Sequence, residues 1–257
     1  MTAMIVVFVA VSGPADAKTE VDEALASYHK GIAAQTIGAR EQYFEKALEL
    51  YLANYNQMKR QGQVNGLLCY NIGNCYFNLG QNEEAIFYYQ LGKKLLPGNT
   101  KITANLAEAL AKRKDAVDME SGGLLESVLF FHYKLSTAQQ IKGLVGISIL
   151  AALSLVWLLI RPTMTARYAA FISGFAVSCL VVSLAVKYYM PTHMGVVMKT
   201  SDVRRGAGSG FAPITGHPLG GGSSIEVISM ADGWYTVKLN DGRQGFIKQE
   251  NLKVVAM

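Results

Sequence analysis

Two long apolar runs dominate the hydrophobic pattern. Gly143 to Ile160 reads GLVGISILAALSLVWLLI and Tyr168 to Val186 reads YAAFISGFAVSCLVVSLAV, with no charged residue in either. Each approaches the roughly 20 residues that an α-helix needs to cross a hydrocarbon core. The pattern therefore predicts transmembrane helices at 143–160 and 168–186. A charge at mid-span would cost about 2.5–3.5 kcal/mol, so the clean interiors carry weight. Lys142, Arg161, Arg167 and Lys187 bracket the runs, and Trp157, Tyr168, Tyr188 and Tyr189 lie near their ends, where amphipathic rings prefer the interface. Only Arg161 to Arg167 joins the runs, so they form a hairpin, and the two loop arginines favour the cytoplasmic side. Ala170, Gly174 and Ser178 recur every four residues, a small-residue ridge that lets another helix approach closely. The first span is the expected neighbour, and a partner protein is the alternative.

Other periods surround the hairpin. Ala3 to Val11 is a short apolar run, and Ala15-Asp16-Ala17 has the small-x-small form of a signal-peptidase site, so residues 1–17 are expected to be an export signal. An exported amino terminus and a two-span hairpin put both soluble parts on the outer face. Residues 118–142 read as a linker in which Leu124 to Leu135 has a helical apolar face suited to the membrane surface. Ser136 and Gln139 resemble a capping box opening the first span. Upstream, SYHKGIAAQ and AREQYFEKALELYLANYNQMKRQG predict a helix pair, with Phe44, Ala47, Leu48 and Tyr51 at helical spacing. After Gly195 the pattern changes to strands: SIEVISM alternates, Asp232-Gly233 turns the chain, WYTVKL follows, and Asn240-Asp241-Gly242 is a second hairpin signal.

Composition agrees with this division. The chain has 257 residues, is 51% hydrophobic and 17% charged, and carries a net charge of +5. Residues 18–123 balance acidic and basic side chains, whereas 124–191 hold one acidic residue, Glu126, against five basic ones. The excess thus flanks apolar runs and has no nucleic-acid footprint. The three cysteines, Cys69, Cys75 and Cys179, show no Cys-x-x-Cys spacing and predict neither a disulfide framework nor a metal site. His29, His132, His193 and His217 are scattered, and no nucleophile–base set follows from spacing, so no enzyme, cofactor or metal is expected.

The stretch LLCYNIGNCYFNLGQNEEAIFYYQLGKKLLPGN resembles a tetratricopeptide repeat, a helix–turn–helix unit of about 34 residues. The family pattern falls on Ile72, Gly73, Tyr76, Leu79, Gly80, Ala85, Tyr89 and Pro97, with Cys69 where tryptophan is common and Gly92 where alanine is. Glycine inside a helix costs about 1 kcal/mol relative to alanine. The expectation is that Gly73 faces Ala85 where the two helices cross. Thr100 to Lys114 reads as one further helix, so residues 18–117 form a helical domain whose stacked units offer a concave surface. Position counting places Tyr70, Asn74, Phe77, Asn78, Lys101 and Asn105 on that groove. In relatives that clamp a peptide carboxylate, the places of Asn74, Asn105 and Lys101 supply the ligands. Tyr70 stands where those relatives have lysine, and a groove for another ligand is the competing reading.

Residues 194–257 resemble the bacterial SH3 domain through Val203-Arg204-Arg205-Gly206, Gly233-Trp234-Tyr235, Asp241-Gly242 and Gly245-Phe246-Ile247. The glycines of RGAGSG are expected to serve turn geometry, since a phosphate loop needs a strand before it and a helix after it. The implied fold class is multidomain α plus β: tetratricopeptide-like helical hairpins, a two-helix transmembrane hairpin and a small SH3-like β-barrel. The whole order is similar to the BatE type of the bacterial Bat (aerotolerance) operon proteins. That resemblance implies an inner-membrane periplasmic adaptor with von Willebrand A-type and MoxR-type ATPase partners and a role in envelope stress tolerance. Binding of peptidoglycan by the strand domain is the alternative.

Overall fold

The computed structural model describes residues 15–113, 135, 137–189, 193–239 and 242–255. Five helices come first among them: α1 (Ala15–Ala33), α2 (Ile37–Arg60), α3 (Gly66–Asn78), α4 (Asn82–Leu95) and α5 (Thr100–Ala111). Side-chain caps start three of them. Thr36 Oγ1 accepts from the Ala39 amide, Asn65 Oδ1 from those of Leu67 and Leu68, and Asn99 Oδ1 from those of Lys101 and Ile102. Such a cap satisfies N–H groups that a first helical turn leaves orphaned, and is worth about 0.5–2 kcal/mol. α4 has no side-chain cap, but Glu83 and Glu84 in its first turn and Lys93 and Lys94 in its last match the helix dipole. The expected signal lies outside the described residues except for 15–17, which already belong to α1. The interfacial segment also lies outside them, apart from Leu135, as do Ser136 and the Asn240-Asp241 pair.

α1 packs on α2, α3 on α4, and α5 on α4. Their core is rich in tyrosine: Tyr28, Tyr51, Tyr70 and Tyr89 are among the largest fully buried side chains, alongside Phe44, Leu68 and Ile72. Gly73 serves this core. A Cβ there would stand 2.6 Å from two atoms of the Tyr89 ring. The residue filling the glycine's slot is therefore Tyr89 and not the expected Ala85, which is buried one turn earlier on α4. A larger side chain at 73 would expel that ring, so packing offsets the helical penalty of glycine. Gly92 permits a second close approach, since a Cβ there would lie 3.1 Å from the Gly66 carbonyl oxygen.

Two further helices, α6 (Thr137–Ile160) and α7 (Met164–Tyr189), form a separate unit and pack on each other. Both are long and apolar enough to span a membrane, and 0% and 11% of their apolar windows are buried. A helix in a soluble core would be mostly buried. Here Leu159 is 85% exposed and Phe171 73%. Polar pairs set their mutual register: Gln140 Nε2 donates to Ser183 Oγ at 3.2 Å, and the Ser154 and Ser173 hydroxyls meet at 3.0 Å. The small-residue ridge does not make this contact. Gly174 has open space where a side chain would project, and Ser178 is exposed, so the α6-facing side of α7 is carried by Ser173 and Ser183 instead.

The carboxy-terminal part is an antiparallel sheet of β1 (His193–Val197), β2 (Ser224–Ala231), β3 (Trp234–Lys238), β4 (Gln244–Lys248) and β5 (Leu252–Val254), in the order β4-β3-β2-β1-β5. The expected closed barrel is not formed: the sheet stays open, with β4 and β5 at its edges. Between β1 and β2 the chain makes isolated bridges and no long strand, and Arg204 bridges Phe246 of β4. Asp232 and Gly233 both have positive φ, 49° and 76°, the conformation that a two-residue hairpin demands. A bulge between Val227 and Ser229 interrupts the alternation of β2, so Ile225 and Val227 are buried while Ile228 and Met230 are about half exposed.

Burial pushes the Cys69 thiol up to about 12 and raises the Cys75 thiol and the phenols of Tyr28, Tyr51, Tyr88 and Tyr89. These groups stay neutral in the fold. In the unfolded chain thiols ionise near pH ~8.5 and phenols near ~10. The unfolded chain then holds fewer protons, so stability is complete below those values and is lost as pH rises through them. The thermal midpoint of the helical part, followed by circular dichroism, is expected to fall steeply above about pH 9. A midpoint unchanged up to pH ~11 would contradict the buried thiol and tyrosine core.

Candidate functional site

The side of α3 that meets α1 and α5 carries a polar cluster. Asn74 Oδ1 is its centre: it accepts from Tyr89 OH at 2.8 Å and from Asn105 Nδ2 at 2.9 Å. Asn105 Nδ2 also reaches Tyr70 OH at 3.0 Å. Asn78 Nδ2 donates to the Asn74 carbonyl at 2.8 Å and to Tyr28 OH at 3.2 Å. Tyr70, Asn74 and Asn78, on one helical stripe with Phe77, thus tie α3 to α1, α4 and α5, because residues three and four apart share a face. Burial raises the Tyr70 phenol pKa, and its hydrogen bonds with Asn74 and Asn105 oppose that rise.

The six residues expected in the groove do share one region, at different depths. Tyr70 and Asn74 are 2% and 0% exposed. They lie beneath the surface. Phe77, Asn78 and Asn105 are half-buried, and Lys101 is exposed at the start of α5. The Asn105 amide points inward to Asn74 and Tyr70. The Phe77 ring is covered by Lys112, whose Nζ stands 3.7 Å from its centroid, a cation–π contact worth about 0.5–1 kcal/mol at such a site. Tyr28, Tyr89 and Lys112 belong to the site although position counting along α3 and α5 did not include them. Tyr28 comes from the irregular first helix pair, and Lys112 from beyond the expected groove positions.

The glycine-rich loop is closed on itself. Arg204 donates to the carbonyls of Ser209 and Phe211 at 2.7 and 2.8 Å, and to Asp202 at 3.2 Å. A Cβ on Gly206 would meet the Phe211 ring at 2.9 Å. Gly206 and Gly208 make room for that ring. A shallow cleft of about 550 Å³ lies beside Trp234, lined by Gly233, Lys248, Gln249 and Glu250. Lys248 and Glu250 pair across it at 3.5 Å. Among the described residues, no group of three or more His, Cys, Asp and Glu side chains is placed to hold a metal ion.

Residues 67–99 match the family model of the tetratricopeptide repeat. The match spans nearly all of α3, the turn, α4 and the cap of α5. No curated protein matches the chain. The repeat is a protein-interaction scaffold and carries no catalytic apparatus of its own.

The cluster is expected to support the fold before it supports binding. Asn74→Ala leaves the buried Tyr89 hydroxyl without its acceptor and should cost about 1–3 kcal/mol in urea unfolding. Tyr89→Phe removes the donor alone and should cost about 1 kcal/mol. Equal stability of Asn74→Ala and the parent chain would show that the hydrogen bonds at Asn74 are not made.

Proposed function

We propose that this chain is a membrane-anchored adaptor. The helices hold a segment of a partner protein, α6 and α7 anchor the chain in the bacterial inner membrane, and the strand module takes part in an envelope stress-tolerance complex of the Bat type. The observation that carries this reading is the repeat at 67–99 together with the surface it builds. Phe77, Asn78 and Lys101 rise around a polar floor in which Asn74 Oδ1 accepts two hydrogen bonds, supplying an apolar ring, a half-buried amide and one exposed cation. Such a mixture suits an extended peptide with an apolar side chain and an acidic group. The groove test therefore belongs on the rim. Lys101→Glu in the full chain is expected to weaken co-purification of the partner with unchanged thermal stability, and Phe77→Ala added to it to abolish co-purification, at a cost of about 1 kcal/mol or more from the lost Lys112 and core contacts. Undiminished co-purification would reject the groove.

The same reading places both soluble parts on the periplasmic face. Its support is direct packing between segments that flank the hairpin: Lys94 Nζ of α4 donates to the Val255 carbonyl at 3.0 Å, and Arg113 to that of Gly222 at 3.2 Å. Segments joined in this way share one side of a bilayer, as two spans require. Protease added to spheroplasts should remove both soluble parts. Digestion of one with survival of the other, when both are cleaved in detergent, would end the proposal.

A further inference from the structure

α4 has an outer stripe, Glu83, Ile86, Phe87, Gln90 and Lys94, at the three- and four-residue spacing of one helix face. On an isolated helical repeat this stripe would meet water or the next repeat. In this chain the strand module lies on it. The closest approach uses two glycines. A Cβ on Gly221 would stand 2.8 Å from Glu83 Oε1, and one on Gly222 would stand 2.7 Å from both Ile86 Cδ1 and Arg113 Cδ. Gly222 also has a φ of +81°, a conformation that favours glycine.

Polar contacts continue along the stripe. Gln90 Nε2 donates to Ser224 Oγ at 3.4 Å, Lys94 to the Val255 carbonyl, and Lys253 Nζ lies 5.7 Å from the Phe87 ring centroid. The apolar layer is shared as well. Val196 and Val255, at 0% and 2% exposure, belong to the same core as Ile86, Tyr89 and Leu91, with Met194 and Met198 packed on it. Val197, one residue on, belongs to the separate core of the sheet with Ile225, Val237 and Ile247.

We propose that the strand module is a built-in cap of the helical scaffold: by covering the outer stripe of α4 it makes helices and sheet one cooperative body, and it leaves the α3 and α5 side as the face open to a protein partner. A repeat array needs its terminal faces covered, because each repeat contacts only its neighbours and an uncovered apolar face lowers stability and solubility. A sheet does this here in place of a polar helix. Removing residues 193–257 would therefore bare Ile86, Phe87 and the α4 side of the core. The inference rests on the one-face arrangement proposed above but needs no particular partner.

The test uses the full chain in native membranes. In a Cys179→Ser background, Gln90→Cys with Ser224→Cys is treated with a short bis-maleimide and mapped by mass spectrometry. Gln90→Cys with Met230→Cys is the control, because Met230 lies six residues along β2 from Ser224, roughly 20 Å away. A bridge is expected for the first pair and not for the second. If neither pair bridges while an impermeant maleimide labels both thiols from the same face, the docking is wrong and the one-face arrangement stands. Labelling from opposite faces would overturn both. Gly222→Val then tests the cap: amide exchange in α4 and α5 should become about tenfold faster, with β2 to β4 unchanged. Unchanged exchange in α4 and α5, with the Gln90–Ser224 bridge lost, would overturn the capping role.

Discussion

The packing of α1 to α5 with the sheet depends on one strand buried on both faces. Successive residues of a strand point to opposite sides. In β1, Val196 enters the helical core and Val197 the core of the sheet, each at 0% exposure. Met194 and Met198 fall on the side of Val196. The strand therefore belongs to two cores at once, and neither can be separated without exposing apolar surface at about 25 cal/mol per Å². Gly195 fits the same constraint, since a Cβ there would collide with Leu252 and Val227 at 2.8 and 2.9 Å. A stretch reading Met-Gly-Val-Val-Met has no polar alternation because it has no solvent face.

The groove follows a similar economy. An asparagine inside a helical core is costly where a polar atom lacks a partner, as Asn74 Nδ2 does, and the two bonds to its Oδ1 offset that cost. Asn74 accepts two hydrogen bonds from side chains on two other helices, so it fixes the spacing of α3, α4 and α5. The polar character of the site thus lies in its floor. In the proposed groove, contact with a partner would fall to half-buried and exposed side chains above it: Phe77 under Lys112, Asn78, and Lys101.

The apolar hairpin shows how small polar groups act where the surroundings are apolar. A hydroxyl without a partner is expensive in such surroundings, and pairing two of them across a helix interface specifies one register. Ser154 with Ser173 and Gln140 with Ser183 do so at two levels of the hairpin. The ridge of Ala170, Gly174 and Ser178 has the spacing for close helix contact, yet Gly174 and Ser178 look outward. Spacing identifies a face, and only packing decides what the face meets.

The residues alone determined what local physics controls. Apolar length marked α6 and α7, helical period marked the α1–α2 pair, the repeat pattern marked α3 to α5, and Asp232-Gly233 marked its turn, because each of these features acts over a few neighbouring residues. The repeat is legible because its small and aromatic positions recur at fixed places, and they mark Gly73 as a packing glycine. They do not mark its partner: Tyr89 and Ala85 are four residues apart on one face of α4, and which of them enters the slot is a matter of how far α4 slides along its axis against α3. Tertiary structure also decided the depth of Tyr70 and Asn74, the open edges of the sheet, and the seating of the strand module on α4. These depend on contacts such as Gln90 with Ser224, separated by 134 residues. Local pattern carries no information about such a pair, since the chain's own spacing places no limit on where so long a loop returns.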